Sequence, residues 1–180
     1  MKLISLRIEN YKSIDDTSEF ELDEITCFVG KNEAGKSAIL RAIYKLNPVI
    51  PSDGKFDSIT EYPAKRRSEY NQQVKEEEIE PDNVITSKWM LEEKDTLIIT
   101  KKFGEESLNS NEVIVKKGYD NTQYWTVDFN EKAILQHIIS NSGLTSDEMT
   151  ELEELNTLTK IRTHLKKIEE PTNRQNDFLK

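Results

Sequence analysis

The sequence predicts an α/β fold that carries an antiparallel β meander and C-terminal helices, with its central sheet incomplete. Three observations predict it. An apolar run, Ile25 to Val29, leads through a glycine-bounded loop into a segment of helical period. Four short segments rich in Val, Ile, Thr, Trp and Tyr follow from residue 84. Only 35% of the 180 residues are hydrophobic, which is a lean core for this length.

The elements follow in order. Residues 2–9 alternate, with Leu3, Ser5, Arg7 and Glu9 on one side and Ile4, Leu6 and Ile8 on the other, the pattern of a half-buried strand. Phe20 and Leu22 suggest a short second strand, and Asp23-Glu24 the turn after it. The continuous run Ile25-Thr26-Cys27-Phe28-Val29 reads as a strand covered on both faces. That places Cys27 inside as an inert thiol, and a single cysteine excludes an internal disulfide and a cysteine-based zinc site. In residues 36–46, Ile39, Ala42, Ile43 and Leu46 share one helix face, and Pro48 stops the continuation.

Residues 47–83 read as a long loop with one helix around 63–78, anchored by Phe56, Ile59, Tyr62 and Tyr70, with Glu76-Glu77-Glu78 solvated. Segments 84–92, 96–103, 112–118 and 123–129 are short and separated by turn residues, which predicts a meander with Trp89, Phe103, Tyr124 and Trp125 as its core. Residues 131–140 look helical, a further helix is expected over 146–169, and 171–180 shows no period. The expected organisation is a lobe over 1–130 with its β subdomain at 84–129, a helical segment over 131–170 that opens an insertion, and a frayed tail at 171–180.

Acidic residues outnumber basic ones 34 to 25, giving a formal charge of −9. The halves are alike, with 13 basic and 17 acidic residues in 1–90 and 12 and 17 in 91–180, so no basic half offers a landing strip for nucleic acid. Charge therefore leaves DNA contact open without arguing for it, and Lys65-Arg66-Arg67 reads as a solvated cluster. No stretch approaches the ~18 apolar residues of a membrane span, and a cytoplasmic protein is expected.

One motif carries chemistry. Gly30-Lys31-Asn32-Glu33-Ala34-Gly35-Lys36-Ser37 fits G-x-x-x-x-G-K-[ST], the phosphate-binding loop called Walker A, between an apolar run and a helix as the motif requires. Gly30 and Gly35 let the backbone curl so that the amides of Gly30 through Ala38 face phosphate oxygens, at the positive end of the following helix. Lys36 supplies the charge for the β- and γ-phosphates and is the catalytic candidate; Ser37 supplies a hydroxyl oxygen to Mg²⁺. Lys31, Asn32, Glu33 and Ala34 complete the nucleotide-binding set. ATP with Mg²⁺ is the expected ligand, although the motif does not choose between ATP and GTP.

Hydrolysis needs a further carboxylate near Mg²⁺. The nearest match to a Walker B strand, Trp125-Thr126-Val127-Asp128, is interrupted by Thr126, and Asp128 reads as a surface acid. His137 and His164 lie in helical stretches and read as helix-surface residues. Ser142-Gly143 is followed by Leu144 and is no Ser-Gly-Gly signature. The chain holds half an active site.

Leu6-Arg7-Ile8-Glu9-Asn10-Tyr11-Lys12-Ser13-Ile14, followed by the run from Ile25 through Ser37, resembles the N-terminus of ABC-type ATPase heads, and more specifically the RecF/SMC and OLD-like branch. Many SMC and RecF members have Asn-Gly in the loop. Here Glu33 follows Asn32, which is more similar to OLD-like AAA-family ATPases, as is the stretch from Phe56-Asp57 to Tyr62-Pro63. The resemblance is strongest over residues 1–50. It implies a P-loop NTPase fold in which an N-terminal lobe carries Walker A and an antiparallel β subdomain. A C-terminal lobe, in cis or in trans, then brings the signature motif, Walker B and a catalytic His. It implies ATP-gated dimerisation with a second head, and it points to DNA repair or phage defence. The chain is then expected to be an N-terminal portion. No Toprim module corresponds to anything here, so nuclease activity is not carried over. Lys12 stands where related heads often present a basic side chain to the nucleotide, and a plain surface lysine fits the position equally well. Two rival readings stay open: a regulatory or scaffold module that binds nucleotide without turnover, and a small P-loop kinase, which the antiparallel pattern after residue 84 disfavours.

Overall fold

The computed structural model describes residues 1–32 and 34–141, together with Lys160 and Thr163. These fall into two compact units, one of Met1–Met90 with Glu112–Val127 and one built from Leu91–Asn111 and the chain from Asp128 on. None of the described helices is long and apolar enough to cross a membrane.

The first unit is organised by β1, Lys2–Tyr11, whose alternation buries Leu6, Ile8 and Tyr11 completely. Its polar face is not wholly solvated: Ser5 is buried, its hydroxyl donating to Glu19 at 2.7 Å. A tight turn with positive φ at Asn10 and Lys12 returns the chain as β2, Ile14–Asp16, and β3, Phe20–Glu21, also pairs antiparallel with β1. On the other edge of β1 lies β4, Asn83–Met90, followed in the sheet by β5, Leu108–Gly118, and β6, Gln123–Phe129. The pairs β1–β4 and β4–β5 are antiparallel, with Leu6 opposite Ser87 and Ser87 opposite Val115. Helix α1, Lys36–Tyr44, packs on β1 and β4. Its small residues Ala38 and Ala42, four apart and so on one face, let it approach the sheet closely. They join Leu6, Ile8, Tyr11, Ile14, Leu46, Phe56, Val84 and Ile85 in one core.

The stretch after α1 holds more order than a loop. A 3₁₀ turn at Pro51–Gly54 precedes α2, Ser58–Glu61, and α3, Arg67–Lys75, a shorter helix than the pattern suggests. Asp57 caps α2 by accepting the Ile59 amide at 3.0 Å. Of the expected anchors, Phe56, Tyr62 and Tyr70 are buried and Ile59 is exposed. The tyrosines form an aromatic box: Tyr62 and Tyr70 stack at 3.9 Å, Tyr119 tilts against both, and Phe56 meets Tyr11 edge to face at 5.4 Å. Each buried hydroxyl is satisfied. Tyr62 donates to Asp82, Tyr119 to the Asn10 carbonyl, Tyr11 to Glu61, and Tyr70 accepts the Asp82 amide. Burial, followed by the bond to Asp82, pushes the Tyr62 hydroxyl up to about 12.

In the second unit the chain departs from the predicted meander. Residues 96–103 are not a strand but part of helix α4, Glu93–Phe103. A capping box closes its start, with Glu92 and Asp95 exchanging side-chain bonds for each other's amides. Lys101 and Lys102 sit at its negative end and Gly104 stops it. These caps outweigh the β-branched run Thr96-Leu97-Ile98-Ile99-Thr100. Helix α5, Glu131–Asn141, follows as expected, burying Ile134, Leu135 and Ile139. The helix anticipated from Ser146, the tail at 171–180 and His164 lie outside the described residues.

Two further expectations are corrected. Residues 25–29 form no strand: Ile25 is 86% and Val29 93% exposed, and Cys27 is exposed rather than buried. A strand needs a hydrogen-bonded neighbour, and none of the described strands offers this segment one. Phe28 alone is anchored, edge to face on Phe20 at 5.9 Å. Tyr124 and Trp125 are more than half exposed, so they are not the core of the meander, and Trp89 is only partly buried.

The packing makes a paired prediction. Phe56→Ala removes a 3% exposed ring from the centre of the box and is expected to cost about 3–5 kcal/mol. Trp125→Gln is expected to change stability by no more than about 0.5 kcal/mol. Urea denaturation of both variants measures this, and comparable losses would contradict the assigned core.

Candidate nucleotide-binding site

The loop between Gly30 and Gly35 ends against the β1–β2 turn. Gly35 has φ +90°, a left-handed conformation that side-chain-bearing residues resist. A Cβ built on it would come 3.0 Å from Cγ1 of Ile14, itself a core residue. Glycine is required there twice over, by conformation and by space. Gly35 is also the N-cap of α1 and brings no side chain to satisfy the helix start. The first helical bond runs from the Ile39 amide to the Gly35 carbonyl at 3.0 Å, so the amides of Lys36, Ser37 and Ala38 have no intrahelical partner.

Around this helix start lies a cavity of about 470 Å³, lined by Lys12, Ser13, Asn32, Gly35, Lys36, Ser37 and Ala38. The Lys36 ammonium folds back over the loop and donates to the carbonyls of Gly30, at 2.8 Å, and Lys31, at 2.7 Å. The Ala34 amide bonds the Lys31 carbonyl at 3.2 Å, closing the loop on itself. Ser37 is exposed at the mouth, and Ala38 is buried beneath it. Of the sequence-predicted set, Asn32, Gly35, Lys36, Ser37 and Ala38 thus converge on one cavity. Gly30, Lys31 and Ala34 shape the loop, and Glu33 lies outside the described residues.

The donor set fits a polyphosphate and its cation. Open helix amides and two lysines suit phosphate oxygens, a hydroxyl suits Mg²⁺, and none of the described lining residues is a carboxylate that would repel an anion. A larger cavity of about 640 Å³, bounded by Met1, Tyr44, Trp89 and Trp125 among others, is mostly apolar and has no lysine or arginine among its described lining residues.

The structure adds to the predicted set Lys12 and Ser13, which the β1–β2 turn brings to the cavity. The readable signal was position: a basic residue directly after the first strand, on the turn that the glycine loop must pass. The remaining candidates sit elsewhere. Asp128 is exposed and accepts from Asn109 at 2.9 Å, as a surface acid should. His137 lies in α5, half-buried against Gly104. Arg66 pairs with Asp15 at 2.8 Å and Arg67 donates to the Tyr62 carbonyl, so two of the three basic residues at 65–67 are engaged within the fold.

The two loop glycines should respond differently to a methyl group. Gly35→Ala is expected to destabilise the first unit by about 1–2 kcal/mol. Gly30→Ala, whose Cβ would meet only Ala34 at 3.4 Å, is expected to cost less than about 0.5 kcal/mol. Denaturation midpoints of the two variants check this, and equal losses would contradict the cradle described.

Among curated proteins, none matches the chain. The family model of the AAA ATPase domain matches it over residues 1–180, its whole length. With a phosphate-fitting cradle at the start of α1 and a family model spanning every residue, the chain belongs to the AAA ATPase domain family.

Proposed function

We propose that this chain is the nucleotide-binding part of an ATPase head of the OLD/RecF/SMC-like type, which binds ATP and Mg²⁺ at residues 30–38. A C-terminal lobe and a second head would then complete it for hydrolysis. In this reading the amides of Gly35 to Ala38 and the ammonium of Lys36 hold the β- and γ-phosphates, Lys12 adds a second cation, and Ser37 holds the metal ion. Mg²⁺, when bound, neutralises charge on the β- and γ-oxygens. Lys36 now rests on two loop carbonyls, which keeps its ammonium paired and within the cavity until phosphate replaces them.

One observation carries the proposal: the residues around the cradle provide binding without the rest of the chemistry. Among the described residues no carboxylate lines the cavity, and no group of three or more His, Cys, Asp or Glu able to hold a metal ion occurs. Directly before the loop, residues 25–29 have a strand's composition and no partner among the described strands, with Ile25 and Val29 almost fully exposed. On α1, Leu40 and Tyr44 are exposed on the side away from Ala38 and Ala42. In this reading a sheet contributed by another lobe would cover the exposed apolar residues of 25–29 and of α1. Binding of the γ-phosphate at such an incomplete site would gate association with a second head, and hydrolysis would reset it. DNA repair and phage defence are the processes to which the resemblance points.

The lack of a carboxylate among the described lining residues favours one other reading, a module that binds nucleotide without turnover. The two separate in a single assay. Lys36→Ala is expected to abolish ATP binding with the fold intact by circular dichroism, and unchanged affinity would overturn the site. Under the ATPase reading, turnover should be absent in the chain alone and appear on mixing with a separately produced C-terminal lobe. Tight binding with no turnover in any mixture would favour the module.

A further inference from the structure

Glu61, the last residue of α2, is a meeting point. Its Oε2 accepts from the Lys45 ammonium at 2.9 Å and from the Asp57 amide at 3.1 Å. Its Oε1 accepts from the Tyr11 hydroxyl at 3.1 Å and stands 3.7 Å from the Lys12 ammonium. Burial works against the charge on this carboxylate, but the Lys45 ammonium and its hydrogen bonds outweigh it and hold the group below the usual glutamate range. It is ionised at neutral pH. The backbone repeats the attachment, because the Lys12 amide donates to the Glu61 carbonyl at 2.6 Å. Lys12, held at φ +53°, cannot leave the neighbourhood of Glu61; only its side chain can.

The four contacts on the carboxylate are unequal. Lys45, Asp57 and Tyr11 are at hydrogen-bond distance, while Lys12 is beyond it and its side chain is 30% exposed. An ion pair this loose and this wet is weak. Its loss leaves the carboxylate with three partners, so releasing Lys12 costs little. The same side chain lines the cavity beside Lys36, where a polyphosphate would offer it a larger negative charge and shorter, charge-assisted bonds. Lys12 therefore stands between a permanent anion and one that arrives with ligand.

We propose that Glu61 is a positioning residue that restrains Lys12, and that a nucleoside triphosphate takes the Lys12 ammonium from it on binding. The proposal rests on the nucleotide reading of the cavity. It makes α2 part of the affinity setting, because Glu61 is followed directly by Tyr62, stacked on Tyr70 of α3. A displacement of the aromatic box would shift the carboxylate and alter how tightly Lys12 is held.

The test is a double-mutant cycle in the whole chain, with MgATP binding measured by calorimetry and folding by thermal melts. Glu61→Gln is expected to tighten ATP binding about three- to fivefold, as befits one weak ion pair, and Lys12→Met to weaken it about tenfold. Combined with Lys12→Met, Glu61→Gln is expected to change affinity less than about twofold, because the group it frees is gone. A purely structural Glu61 has the opposite signature: weaker binding together with a lower melting temperature. If Glu61→Gln does not fold, Glu61→Asp keeps a charge for Lys45 while drawing it back from Lys12, and must tighten binding in the same direction. Weaker or unchanged binding in the variant that folds, or an equal gain with and without Lys12, overturns the proposal. A wild-type chain that binds no ATP overturns the nucleotide reading and the proposal with it. ATP binding that ignores both Lys12→Met and Glu61→Gln overturns the proposal alone.

Discussion

The turn after β1 has to satisfy three neighbours at once, and most of the first unit follows from how it does so. Tyr11 is fully buried, edge to face with Phe56, and its hydroxyl reaches Glu61. Lys12 gives its amide to the Glu61 carbonyl, which ties the turn to α2. Ile14 occupies the space that any side chain at position 35 would need. The close approach of Ile14 and Gly35 is what sets the start of α1 against the end of β1, and with it the cavity between Lys12 and Lys36. Because β1 pairs with β2, β3 and β4, the turn rests on the best-connected strand of the sheet rather than on a free loop. A site held this way is pre-organised: its amides are aimed before any ligand arrives.

Much of this was legible before any coordinates. The alternation of residues 2–9, the helical face of 36–46, the strands near 84–92, 112–118 and 123–129 and the helix at 131–140 all reflect local periods that tertiary packing then confirms. The candidate phosphate loop stands out in the sequence for a different reason: its motif is contiguous, eight residues in a row. Lys12 and Ser13 reach the same cavity from a separate segment, and no local pattern joins them to it. Of the aromatic box only Phe56, Tyr62 and Tyr70 stand out in the sequence as anchors, because Tyr11 and Tyr119 join them from segments far apart in the chain.

The misread elements have physical causes as well. Residues 96–100 are rich in β-branched side chains, but Glu92, Asp95 and Gly104 were already in place as helix caps, and the caps decided the outcome. Residues 25–29 have a strand's composition, yet composition supplies side chains and not the hydrogen-bonding neighbour that a strand requires. The lean apolar fraction thus coexists with apolar residues left outside: Ile25, Val29, Leu40, Tyr44 and Trp125 are all exposed. This exposed apolar surface beside a small core supports the proposal of a further lobe.

The central claim is that the amides at the start of α1 are a phosphate cradle held open by Gly35. Amide-resolved NMR of the isotopically labelled chain, titrated with MgATP, tests it most directly. The account predicts large shifts and slowed hydrogen exchange confined to residues 35–38 and the Lys12–Ser13 turn, all lost in Lys36→Ala. Undisturbed amides at 35–38, or shifts centred instead on the apolar cavity at Trp89 and Trp125, would contradict it.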